Sequence, residues 1–76
     1  MHTTLDQIQP GNACRITKLT YADRLGARLL TMGVYPGVTL RVVRNAPLRD
    51  PMEVQFNDVF LSLRRAEARF IEVTPA

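Results

Sequence analysis

Seventy-six residues, 46% of them apolar, suffice for one small hydrophobic core but not for a second domain or a deep polar cleft, so residues 1–76 are expected to form a single domain. Ten basic side chains against seven acidic ones leave a net charge of +3, a modest excess, spread along the chain, that favours an acidic partner, nucleic acid or a membrane surface. No apolar stretch approaches the ~20 residues of a membrane span, the N-terminus lacks a signal-peptide pattern, and Cys14 has no second cysteine to pair with, so a chain in a reducing cytoplasm is expected.

Thr4-Leu5-Asp6-Gln7 has the pattern of a capping box and predicts one short helical turn ahead of Pro10. Pro10-Gly11 and Pro36-Gly37 each set Pro before Gly, the order of a type II turn. Residues 13–20 read as a first strand, with a bulge or bend reconciling Ala13, Ile16 and Leu19. Residues 23–32 read as the principal helix. Asp23 is its candidate N-cap, and Ala22, Leu25, Leu29 and Met32 form its apolar stripe. Gly33 stands where a left-handed C′ residue belongs, with Val34 placed to pack back on Leu29 in a Schellman motif.

Residues 39–44 read as a second strand with Leu40 and Val42 on one face. A Pro-framed loop follows. Met52, Val54 and Phe56 then alternate with polar residues, Asn57-Asp58 suits a two-residue turn, and Val59, Leu61 and Leu63 continue. In that register Phe56 faces Val59, Val54 faces Leu61 and Met52 faces Leu63, so all six are expected on one core face. A helical turn over 64–68 and a last strand carrying Ile71 and Val73 complete the chain. The expected fold is mostly β: a small five-stranded SH3-like barrel with one α-helix inserted after the first strand, and short helical turns.

Catalytic chemistry finds no constellation. His2 is the only histidine, Cys14 lies in a predicted strand, and the carboxylates are scattered over turns, caps and outward positions. A non-enzymatic role is expected. His2 and Asp6 offer at most a weak surface chelate for Fe²⁺ or Zn²⁺, and no cofactor is required. Nucleic acid is the main rival partner, but no strand interleaves basic and aromatic residues. Protein binding remains. The long loops of such a barrel carry Tyr21, Val34, Tyr35, Pro47 and Leu48, a candidate partner surface, although Val34 and Leu48 serve equally well as plugs folded inward. An exposed barrel edge also offers pairing with a second copy, a homodimer.

Four motifs in order now carry a resemblance: Leu5-x-x-Ile8-x-Pro10-Gly11; Leu29-Leu30-x-Met32-Gly33-Val34-x-Pro36-Gly37-x-x-Leu40; Ala46-Pro47-Leu48-x-Asp50-Pro51-Met52; and Leu61-Ser62-Leu63-Arg64-Arg65-x-Glu67-Ala68-x-x-Ile71-x-Val73. Together they resemble ferrous iron transport protein A, the FeoA family, over residues 4–73. Asn57-Asp58 departs from the glycine common in that family's hairpin. The resemblance implies an SH3-like fold and a free-standing cytoplasmic accessory or adaptor protein. Its implied partner is the membrane ferrous iron transporter, whose cytoplasmic part includes a GTPase domain. On that reading Tyr21, Val34, Tyr35, Pro47 and Leu48 meet the transporter, while Arg24 and Arg28 steer an acidic surface.

Overall fold

A computed structural model describes residues 3–19, 24–45 and 50–76. Its strands are β1 (Thr3–Thr4), β2 (Ala13–Leu19), β3 (Thr39–Asn45), β4 (Met52–Phe56), β5 (Val59–Leu63) and β6 (Ile71–Pro75). Between them lie a 3-10 turn (Leu5–Gln7), helix α1 (Arg24–Thr31) and a single turn, α2 (Arg65–Ala68). The strands form one antiparallel sheet in the order β1-β6-β2-β3-β4-β5, curled as an SH3-like barrel. The fold is mostly β, as expected, but the described residues form six strands rather than five. The extra one is β1, which pairs Thr3 with Val73 and Thr4 with Glu72. Two residues are too short for periodicity to reveal.

Bulges accommodate the curvature. The β2–β6 register shifts between Ile16 and Lys18, where the Thr17 hydroxyl donates to the Glu72 carbonyl at 3.1 Å. A second shift between Val42 and Arg44 bends β3 against β4. The inward residues of β2 to β6 meet in one core, from Cys14 and Ile16 through Leu40, Val42, Met52, Val54 and Leu63 to Ile71 and Val73. Leu5 and Ala68 close it from the short turns. Among the described residues no polar or charged side chain is buried.

Both Pro-Gly turns form as the sequence predicts. Gly11 and Gly37 hold φ of 92° and 99°, and the Asn12 and Val38 amides donate to Gln9 and Tyr35 across them. The capping box at Thr4 does not form. The Thr4 hydroxyl instead donates to the Asp6 carboxylate, a charged acceptor only two residues away. A reciprocal contact appears at α2, where the Glu67 carboxylate accepts the Arg64 amide at 3.0 Å.

The β4–β5 hairpin has the predicted register, from Phe56↔Val59 to Met52↔Leu63. Its six residues do not all reach the core. Val59 is 43% exposed and Leu61 half-buried, whereas Met52, Val54, Phe56 and Leu63 are buried. β5 is the last strand of the sheet, and its turn end extends beyond the core.

Helix α1 ends in a Schellman motif. The Val34 amide donates to the Leu29 carbonyl at 2.8 Å and the Gly33 amide to that of Leu30 at 3.0 Å. Gly33 holds φ of 87°, a conformation that strains residues with a Cβ. A Cβ there would meet Phe56 at an ordinary 3.7 Å, so the penalty of substitution is conformational rather than steric. Gly33→Ala is expected to lower stability by about 1 kcal/mol, a shift of several degrees in a thermal melt for a domain this small.

Candidate functional site

The Schellman motif determines which side chains at the end of α1 face solvent. Leu29 and Val34 are the residues that this cap packs together, and both are fully buried. Leu30 follows Leu29 by one residue, about 100° around the helix, and is 63% exposed. Tyr35 leaves the cap beside the Pro36-Gly37 turn and is 48% exposed. Two large apolar side chains therefore flank a rigid cap, with the exposed Arg28 one helical turn before Met32.

Arg28 is engaged as well as exposed. Its guanidinium lies 3.5 Å from the Glu67 carboxylate, linking α1 to α2. A surface pair of this kind contributes at most about 1 kcal/mol. It nevertheless offsets part of the positive charge that Arg28 would show an acidic partner, because Glu67 remains beside it. Glu67 in turn accepts the Arg64 amide, so one carboxylate caps α2 and orients Arg28.

Arg65 ties together segments remote in sequence. Its guanidinium donates to the Asp6 carbonyl at 2.6 Å, and its backbone amide to the Asp50 carboxylate at 3.0 Å. The N-terminal turn, the end of the β3–β4 connection and α2 thus meet at one residue. This pair of contacts had no signal in the sequence, since the partners are separated by 59 and 15 positions.

Of the residues named from the sequence, Arg28 and Tyr35 are on the surface, on either side of the α1 cap. Val34 is not available to a partner. As the C″ residue of the cap it is fully buried against the core, which corrects its assignment to the surface. Leu30 takes its place; its exposure could have been inferred from its position off the Leu25–Leu29–Met32 stripe. Tyr21, Pro47 and Leu48 lie outside the described residues, as do the side chain of Arg24 and all of His2.

Asp6 acts as a turn residue. Its carboxylate accepts the Thr4 hydroxyl and, at 3.1 Å, the Gln7 side-chain amide Nε2. Among the described residues no three His, Cys, Asp or Glu side chains gather to hold a metal ion. Cys14 is buried on β2, and burial pushes its thiol up to about 11, away from the nucleophilic thiolate. No described helix is long and apolar enough to cross a membrane.

The model of the FeoA domain family matches residues 3–75. A fusion protein from Porphyromonas gingivalis, named as Fe(2+) transport protein A joined to the Fe(2+) transporter FeoB, is 38% identical over 69 residues. That alignment covers 91% of this chain but only 8% of the fusion protein. The solution structure of iron(II) transport protein A from Clostridium thermocellum superposes with a TM-score of 0.91 at 34% identity, covering 97% of this chain and 46% of that one. The FeoA protein of Chlorobium tepidum gives 0.90 at 34% identity, covering 96% and 70%.

Proposed function

Because the chain belongs to the FeoA domain family, a family of ferrous iron transport, we propose that it is a cytoplasmic accessory protein that docks on the GTPase part of a membrane Fe²⁺ transporter and supports or regulates it. The observation that carries this reading is the Porphyromonas gingivalis relative. There a domain 38% identical to this one shares a polypeptide with the transporter. Joining two modules raises their effective concentration and is useful where the two must meet.

The chemistry of the surface supports binding rather than catalysis. Leu30 and Tyr35 present apolar area on a backbone fixed by the Schellman cap and the Pro36-Gly37 turn, so little ordering entropy is lost on docking. Tyrosine is favoured among residues that dominate interfaces. Arg28 and Arg24, together with the net charge of +3, act on the rate of encounter with an acidic surface. Pro47 and Leu48, which stand in a motif that carries the family resemblance, and Tyr21, an aromatic on the other long loop, are proposed for the same surface.

The reading is tested by titrating the ¹⁵N-labelled chain with the transporter's GTPase domain, with duplex DNA as control, in ~0.15 M salt. Saturable shifts centred on residues 28–38, absent with DNA, are the expected result. Salt-sensitive shifts at the arginines with DNA and none with the GTPase domain would replace this reading with nucleic-acid binding.

A further inference from the structure

A different surface lies at the far end of the sheet. β5 is bonded to β4 alone among the described strands and forms an edge. Its outer side carries Phe60, 61% exposed, beside the exposed Ser62. An edge of this kind is a template for another strand, and sheets usually guard it with a charge or a proline. From Val59 to Leu63 β5 has neither.

Its hydrogen-bonding capacity follows from the hairpin. Across a two-residue turn the flanking pair, Phe56 and Val59, exchange both backbone bonds, and every second pair repeats the pattern. Val59, Leu61 and Leu63 therefore direct their amides and carbonyls to β4. Phe60 and Ser62 direct theirs to the open edge.

We propose that this edge pairs antiparallel with β5 of a second copy, about a two-fold axis through Leu61. In that register Phe60 lies opposite the partner's Ser62, and the two exchange both backbone bonds on each side of the axis. The sequence Asp58-Val-Phe-Leu-Ser-Leu-Arg64 is then complementary to itself in charge. Asp58 faces the partner's Arg64, and Arg64 faces the partner's Asp58, on the outer sheet face that also carries Phe60. Moving the partner strand two residues one way sets Phe60 opposite the partner's Arg64, but the Arg64 amide is already donated to Glu67 at 3.0 Å. Moving it two residues the other way requires Asp58, a turn residue, to pair as part of a strand. The central register uses the outward groups of β5 and pairs opposite charges at both ends. Like charges directly opposite would be unfavourable.

The test is the oligomeric state of the full chain, measured by sedimentation velocity and by concentration-dependent amide shifts. A reversible dimer with shifts confined to residues 58–64 is expected. Asp58→Arg alone or Arg64→Asp alone sets like charges opposite each other at both ends and should weaken dimerisation about tenfold, while the double variant restores it. Arg64→Asp leaves a good N-cap residue ahead of α2, so its fold is expected to be retained. Ser62→Pro removes an outward amide not used by β4; it should yield a folded monomer by circular dichroism. A chain still monomeric at about 1 mM overturns the proposal, as does a dimer indifferent to the charge reversals and to Ser62→Pro. A monomer whose edge binds only extended peptides of other proteins also overturns it.

Discussion

Leu29→Ala is expected to destabilise the domain by about 2–5 kcal/mol and to abolish transporter binding, whereas Leu30→Asp is expected to leave stability within about 0.5 kcal/mol and weaken binding at least tenfold. The two positions are adjacent in sequence but opposite in environment. Leu29 is fully buried and is the C3 residue of the cap, so truncation leaves a cavity beneath α1 and removes the partner against which Val34 packs. Helix α1 has eight residues, too few to persist without that docking. Leu30 already faces water, so an Asp there buries no charge in the free protein and does so only in the complex. Denaturant unfolding and calorimetric titration with the GTPase domain separate the two effects. Equal loss of binding and stability in both variants would show that Leu30 contributes to the fold; full binding by Leu30→Asp would remove this face from the proposed interface.

Cys14 is expected to resist a thiol-specific reagent in the native state, reacting about a thousandfold more slowly than in denaturant. Its side chain is fully buried on β2, and the thiol ionises near pH 11 rather than 9.0 because burial penalises the charged thiolate. The sign of the linkage follows. Raised ionisation means that the folded state holds the proton more tightly than the unfolded state. The stabilisation is fully present below about pH 9 and is lost progressively as pH rises toward 11, amounting to about 2 kcal/mol at the upper end. The measurement is urea unfolding between pH 8 and 11 for the native chain and Cys14→Ala. The variant should begin less stable, through lost packing, and show a shallower decline. Parallel declines would assign the alkaline loss to other groups.

The local features were legible in the sequence because a few adjacent residues determine each of them. Gly33 and Val34 are sufficient to predict the Schellman cap, and Asn57-Asp58 with its flanking alternation gives the hairpin register residue by residue. Burial was less legible. Val59 fits the same alternation as Leu63 yet lies at the turn end of an edge strand, where the pattern continues beyond the core it would cover. Val34 appeared on a loop and so was a candidate for the surface, but the cap that the sequence itself predicts requires it inside. The ties made by Arg65 and the Arg28–Glu67 pair join residues far apart in sequence, with no periodicity to relate them. Of the candidate site, Tyr35 and Arg28 were named from the sequence, whereas Leu30 was not, although its position off the apolar stripe of the helix marks it as outward.

The pairing of Thr3 with Val73 and Thr4 with Glu72 has a mechanical consequence. In an antiparallel pair the beginning of β1 and the end of β6 lie side by side, with the interstrand hydrogen bonds perpendicular to both strands. Tension applied through these two ends loads the pairs one after another, as in opening a zip, instead of shearing them together. The first step under load is the peeling of β1, after which the 3-10 turn is held by the Leu5 side chain and the Arg65 contact to Asp6. In a longer polypeptide pulled from both sides, this domain would lengthen at low force, with the sheet from β2 to β5 the last part to open.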